Sequence, residues 1–491
     1  MSQLSAITTE APSAAPPARR GRPLLAWLVI LAAVAFILWR YSTVSPKEKE
    51  RYDLVTMRLQ GRYLIGVAEL EERYLGSKKS AREQLYEEAQ KNLNRGTYPQ
   101  RLRFVVLAGE LKGPNESREQ LQEIDQKYRF HCGNPSPEDE ATARLLDHLY
   151  AVRAEDANAV ASLPEDEQQK LRQRLDWFGD LALAPRDGDD QVAREAVLAQ
   201  AVRTVWALLG VGIFMLALFL IGLVFLVTLG VLYFLGHLQS GLKPGSPHHG
   251  IYAETFALYM LLYLGLSLAA RSAIRWLTLE KGTLALSGLA ALGSLAALGW
   301  PVLRGIPWRQ VRQDIGWHAD RRPKLAPLLG AGSYALALPM LVLGGILFFI
   351  LTTMRDRLGW GPDEFGPSNA PGHPIVFWVS RAGWWIWLEV LFVASVVAPI
   401  VEETMFRGVL YRHLRAASSR WWPALSVLFS AVVASFVFAV IHPQGFLAVP
   451  LLMALALAFT LIREWRGTLL PSMIAHGINN AVATLLLFLM S

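Results

Sequence analysis

The residues best able to do chemistry lie near the C-terminus of the 491-residue chain, in three clusters: Glu402-Glu403-Thr-Met-Phe-Arg407, Phe438-Ala-Val-Ile-His442 and His476-Gly-Ile-Asn-Asn480. Strongly apolar sequence flanks each of them. An ionisable side chain at the centre of a membrane helix costs at least about 2.5 to 3.5 kcal/mol on insertion scales, so such a group normally faces a protein interior and has a partner or a function. Residues four apart share a helix face, which lets Glu403 pair with Arg407. Glu402 is turned about 100° away and has no local counter-ion. Burial disfavours the charged form of a carboxylate, and a base drawn toward neutrality suits the activation of water. Glu402 is therefore the expected general base, with Glu403 and Arg407 in support. Pro399 lacks an N–H and should loosen the helix just ahead of the pair.

The other clusters also gather their polar members on one face: His442 lies one turn after Phe438, and His476 one turn before Asn480, while Asn479 is expected to point elsewhere. Two imidazoles, a carboxylate and an amide can hold and activate a water, then stabilise a tetrahedral oxyanion. Glu402, His442 and His476 could equally ligate zinc, since two His and one carboxylate form a hydrolytic set. Spacing alone does not separate these. A Glu-Glu-x-x-x-Arg run is by itself a common helix ion-pair pattern, and a membrane His often only packs; the functional reading rests on three clusters within about 80 residues. Covalent nucleophile schemes lack support, because the one cysteine, Cys132, lies outside the apolar runs. There is also no Gly-x-Ser-x-Gly and no pair of intramembrane aspartates.

The elements that must position these groups follow from composition. Apolar residues make up 53% and charged residues 18% of the chain, against about 25% charged in ordinary soluble domains. These values exclude a disordered protein, a disulfide scaffold and a Cys-ligated zinc module. Residues 46–200 hold 24 Lys/Arg against 29 Asp/Glu, and the remainder holds 24 against 12. The excess cations sit in short loops between apolar runs, so the positive-inside rule accounts for them and nucleic-acid binding is rejected.

The expected fold is an all-α polytopic membrane protein with about nine transmembrane helices and an inserted soluble helical domain. Residues 1–23 read as a disordered basic leader and 24–40 as an uncleaved signal anchor. Residues 41–203 read as an extramembrane α-helical domain, with apolar positions at three- and four-residue spacing such as Leu121, Ile124 and Tyr128. Residues 204–303 carry further spans and 304–491 the core with the three clusters. Spans are placed at 206–235, 251–277, 282–303, 328–353, 376–401, 421–442, 446–463 and 468–490. The most basic loops, 304–327, 407–420 and 463–466, then share the side of the N-terminus. This places the N-terminus in the cytoplasm and 41–203 outside it, in a bacterial inner or plasma membrane.

Glu402-Glu403-x-x-x-Arg407, Phe438-x-x-x-His442 and His476-x-x-x-Asn480 resemble the three signature motifs of the CPBP family. The family comprises CAAX prenyl endopeptidases of the Ras-converting type and bacterial relatives, including bacteriocin-processing and lysostaphin-resistance-like proteins. The resemblance covers roughly residues 300–490, with Arg304-Gly-Ile-Pro-Trp-Arg309 similar to the family's cytoplasmic lead-in. It implies an intramembrane endopeptidase in which Glu402 and His442 activate water while His476 and Asn480 stabilise the oxyanion. It favours hydrolysis without an obligatory metal, zinc on Glu402, His442 and His476 being the alternative. The implied partners are the lipid bilayer and a peptide or protein substrate at the membrane, with a protein partner for 41–203 as a further expectation. A prenylated substrate does not follow. The rival reading is a non-catalytic membrane scaffold or immunity-type protein.

One geometric expectation does not close. If Arg412, Arg415 and Arg466 mark the cytoplasmic surface, Glu402 and His476 lie about 13 to 15 Å deep, whereas His442 lies about 31 Å from Trp421. The helix before His442 must then start outside the bilayer or tilt strongly. The polar cavity is expected to open mainly toward the cytoplasm.

Overall fold

A backbone crossing hydrocarbon must satisfy its own N–H and C=O groups, and the apolar runs of this chain all do so as helices. The computed structural model describes residues 21–490 apart from 44–45, 77–79, 157–162, 238, 243–247, 278–281, 319–322, 362 and 368–382. No strand occurs among the described residues. The leader falls, up to residue 20, outside them.

Helix α1 (Pro23–Ser42) precedes seven helices of the polar block: α2 (Pro46–Leu75), α3 (Ser80–Leu93), α4 (Tyr98–Leu111), α5 (Pro114–Cys132), α6 (Pro137–Glu155), α7 (Glu165–Leu175) and α8 (Trp177–Leu183). Then come α9 (Gln191–Phe234), α10 (His249–Trp276), α11 (Thr283–Leu303), the short α12 (Trp308–Ile315), α13 (Ala326–Arg357), α14 (Trp384–Ala417), α15 (Pro423–Val440), α16 (Phe446–Arg466) and α17 (Leu470–Met490). Among the described residues, nine helices (α1, α9–α11 and α13–α17) are long and apolar enough to cross a bilayer. The chain is an all-α, multi-pass integral membrane protein.

The expected boundary at residue 203 falls inside α9, whose 44 residues form one helix of about 66 Å. Its first turns belong to the polar domain: Val197, Leu198 and Ala201 are buried in the domain core. Gly66 of α2 allows the approach, since a Cβ there would meet the Ala201 carbonyl oxygen at 2.5 Å.

The domain is built around α4, whose Phe104, Val105, Val106, Leu107 and Ala108 are fully buried. Leu121, Ile124, Leu146, Leu149 and Tyr150 close on it at helical spacing. Glu110, 4% exposed, bridges two cations in this core: it binds Arg194 through both oxygens and lies 3.5 Å from Arg82 Nη1. Breaking a buried pair by removing one partner leaves an uncompensated charge and costs about 3–5 kcal/mol. Glu110→Ala is expected to destabilise the domain by about that amount, read as early exchange of the α4 amides with deuterium.

Three contacts tie the domain to the membrane core. Phe365, in the loop after α13, sits under the Arg101 guanidinium at 4.1 Å, stacks on His131 at 5.4 Å and meets Tyr128 edge-on at 5.6 Å. The Gly96 N–H and Arg101 Nη2 donate to the Glu364 carbonyl. Helix α1 buries Ala26, Ile30, Ala33 and Ile37, one stripe at i, i+4, i+7 and i+11, in the core that also holds α10. At its start the Arg22 N–H donates to Glu254 Oε1 at 2.7 Å, while Glu254 Oε2 accepts from Trp300 Nε1. At its end the Tyr41 hydroxyl donates to the Ile441 carbonyl at 2.6 Å.

Candidate active site

Helix α14 carries Glu402 and does not stop at 401, as the apolar pattern predicts, but runs to Ala417; residues 376–382 of the expected span lie outside the described residues. Two stretches of it, Val393–Val397 and Glu403–Leu410, are wound in wider i→i+5 turns. Such turns occur often at functional sites. In that register the amide that would bond the Ala394 carbonyl belongs to residue 399, which is proline and has no N–H. The orphaned carbonyl is satisfied from the next helix: Asn480 Nδ2 of α17 donates to Ala394 O at 2.8 Å. Gly477 permits this approach, because a Cβ there would stand 2.5 Å from the Ser395 carbonyl oxygen.

The three clusters converge. Glu402 Oε2 lies 3.8 Å from His442 Nε2 and 3.6 Å from His476 Nε2. His442 donates from Nδ1 to the Phe438 carbonyl at 2.6 Å, and His476 donates from Nδ1 to Glu403 Oε1 at 2.9 Å. Both rings are thereby held with Nδ1 protonated, and both present Nε2 to Glu402. Glu403, with no exposed side chain, also lies 2.9 Å from Arg407 Nη1. Arg407 donates from Nη2 to the Ala456 carbonyl and rests over the Phe438 ring at 4.5 Å. Glu402 has no near counter-ion on its own helix; its partners are the two imidazoles.

Asn480 is the site candidate whose contacts lead away from this group. One amide N–H goes to Ala394 and its Oδ1 accepts from Asn479 Nδ2 at 3.2 Å, leaving one N–H. Asn479, expected to point elsewhere, thus braces its neighbour. The donor types of Glu402, His442 and His476 suit zinc, but among the described residues no group of three or more His, Cys, Asp or Glu is close enough to hold a metal ion.

Burial also corrects the depth expectation. Arg412 is 3.3 Å from Asp314 Oδ1, Arg415 pairs with Glu464 at 2.8 Å, and Arg463 donates to the Asp314 carbonyl. Tyr252 and Tyr411 donate to the same two carboxylates. Arg412 and Arg415 are interior ion-pair partners, Arg463 is fully buried beside them, and none of the three marks a surface. The end of α14 lies 15 residues past Glu402, about 22 Å, against about 27 Å for the 18-residue α15. His442, 19 residues past Pro423, is about 28 Å along on the same measure, so the mismatch narrows to about 6 Å. The turn leading into α17 is likewise covered, with the Leu469 N–H donating to Gly316 O.

Every residue from Glu403 to Ala416 is buried, which seals the end of the bundle opposite the domain. Toward the domain, Leu391, Ala394, Ser395, Ala398 and Glu402 form a half-buried stripe, facing half-buried Asn479, Asn480 and 441–444. The Glu402 side chain keeps 25% of its exposure and His442 17%. The half-buried surface beside Glu402 therefore lies on the domain side, whereas the opening was expected at the end away from the domain, which is closed by its own ion pairs.

Sequence reasoning missed several supporting groups. Phe459 stacks on His476 at 5.4 Å, Trp317 Nε1 donates to Thr404 Oγ1, and Asp314 and Glu464 neutralise the arginines. For the last pair the signal was present: the loop and helix-end arginines had acids among them.

Residues 383–482 match the family model described as Type II CAAX prenyl endopeptidase Rce1-like, a stretch that contains all three clusters. No curated protein and no solved structure matched the chain.

Proposed function

Taking residues 383–482 as a CPBP-type intramembrane protease segment, we propose that the protein hydrolyses peptide bonds of membrane-associated peptides or proteins by direct attack of water, without a covalent intermediate or a required metal. The observation that carries this reading is the placing of Glu402 Oε2 within 4 Å of two imidazole Nε2 atoms whose opposite nitrogens are already committed.

A water held among these three atoms can give a proton to Glu402 as its oxygen attacks the scissile carbonyl carbon. The tetrahedral oxyanion forms beside His476, which enters the step with a proton on each nitrogen, Nδ1–H on Glu403 balancing its charge, and keeps its Nε2–H throughout as the donor to the oxyanion. The remaining Asn480 N–H is a second donor. Glu402 then returns the proton to the leaving amine. Zinc on Glu402, His442 and His476 is the competing reading, and no step here passes through it.

The test is cleavage of a membrane-peptide library by the purified protein in lipid. Cleavage retained after chelation is expected; its loss on chelation and return with zinc would favour the metal. Absence of cleavage by well-folded protein would favour a scaffold.

The orientation is proposed with the N-terminus in the cytoplasm and the domain outside it, supported by the exposed cations of the sealed end, Arg309, Arg312, Lys324 and Arg420. Cys132 is the chain's single cysteine and is exposed. In intact cells of a bacterial host it is expected to react with a membrane-impermeant maleimide; protection until lysis would reverse the orientation.

A further inference from the structure

We infer that Tyr41, at the end of α1, is a positioning residue for His442: its hydroxyl holds the peptide that leads from α15 into His442 and keeps that imidazole turned toward Glu402. What the imidazole does there rests on the protease reading, whereas the hold itself does not.

A helix leaves its last carbonyls without partners of its own. Helix α15 ends at Val440, so His442 stands beyond it, and its place depends on how those carbonyls are satisfied. His442 caps two of them itself: its Nδ1 donates to the Phe438 carbonyl at 2.6 Å and its N–H to the Ala439 carbonyl at 3.3 Å, a long bond. The chain after it adds little, since Pro443 has no N–H and Gly445 turns at a φ of +83°. The peptide between Ile441 and His442 is secured from its other edge, where the Ile441 carbonyl accepts the Tyr41 hydroxyl at 2.6 Å. Among the described residues, no other side chain from another helix bonds the backbone of 441–445.

The hydroxyl is delivered by a fixed element. Near the start of α1, Trp27 Nε1 donates to His413 Nε2 at 3.1 Å, and His413 in turn donates from Nδ1 to the His249 carbonyl at 2.7 Å. Val34 packs against Ala439 and Val440 at the end of α15, and Ile37, one turn before Tyr41, is buried. A functional group held from a packed helix is placed more closely than one held by a loop. Helix α1 also lies far outside the stretch, 383–482, that matches the family model. The unit that sets the geometry of the site therefore extends beyond that stretch to the N-terminal helix.

The test compares full-length wild type, Tyr41→Phe and Ile37→Ala in lipid discs. Tyr41→Phe removes only the hydroxyl of a half-buried ring. It is expected to lower kcat for cleavage of a membrane peptide by about tenfold or more, with KM and the thermal midpoint little changed. The amides of 442 and 444–448 should exchange with deuterium about tenfold faster. Ile37→Ala takes away packing one turn earlier and keeps the hydroxyl, so it should lower the thermal midpoint while kcat and exchange stay near wild type. p-Aminophenylalanine at position 41 keeps a donor in the same place and should restore most of the lost rate and the slow exchange. Where the wild type cleaves, kcat decides: cleavage left intact by Tyr41→Phe, or lost equally in Ile37→Ala, would overturn the inference and keep the protease reading. Where well-folded wild type cleaves nothing, the protease reading falls and exchange decides. Faster exchange in Tyr41→Phe, reversed by the amino group, keeps Tyr41 as the holder of the turn, and unchanged exchange removes it.

Discussion

Glu402→Gln is expected to lower peptide cleavage by about 10²- to 10⁴-fold, the usual contribution of a general base. Glutamine keeps the shape of the side chain and can still meet the two Nε2 atoms, but it cannot take a proton from water. The fall should appear in kcat with KM little changed, because the lost interaction belongs to the transition state. The fold should survive. Glu402 is the half-buried member of the Glu-Glu pair, and its neighbours are two imidazoles 3.6 and 3.8 Å away rather than a buried guanidinium. Thermal unfolding in lipid discs is expected to stay within about 1 kcal/mol of wild type, the range of substitutions outside a buried network. Activity retained in Glu402→Gln would remove Glu402 as the base.

The sequence made the helices legible because an apolar run of membrane length has few alternatives to one. It also made the clusters legible, because polar residues are conspicuous against Leu, Val and Ala. What it concealed is tertiary. Arg412 and Arg415 read as surface markers because helix-end arginines ordinarily reach for headgroups. Their partners Asp314 and Glu464 lie 98 and 49 residues away in sequence and are brought in by α12 and α16. Pro399 announced a disturbed helix, but nothing local could say that Asn480 would supply the missing N–H. The span boundary at 401 was misplaced for a related reason: Glu402, Glu403 and Arg407 look like an exit from the bilayer until the groups that neutralise them are known. Phe365 lay in a loop notable only for balanced charge, and its cage of Arg101, Tyr128 and His131 exists only once α4 and α5 are packed.

The pair behind His476 should separate stability from catalysis. Glu403 and Arg407 are 0% and 1% exposed, so Arg407→Leu strands a buried carboxylate and Glu403→Leu strands a buried guanidinium. Each single change is expected to cost about 3–5 kcal/mol of stability. The double substitution removes both charges and leaves apolar side chains between Phe438 and Phe459, so much of that loss should be recovered, giving a coupling energy of roughly 2 kcal/mol or more in the cycle. Cleavage should not recover with it. Glu403 alone fixes the His476 Nδ1 proton, and an imidazole freed of that acceptor can turn or exchange tautomers; losing such an orienting partner commonly costs 10- to 100-fold. Glu403→Gln keeps an acceptor oxygen, so its activity should lie between wild type and Glu403→Leu. If stability and cleavage instead rise together in the double variant, Glu403 serves only to neutralise Arg407, and His476 must be oriented by its stacking on Phe459.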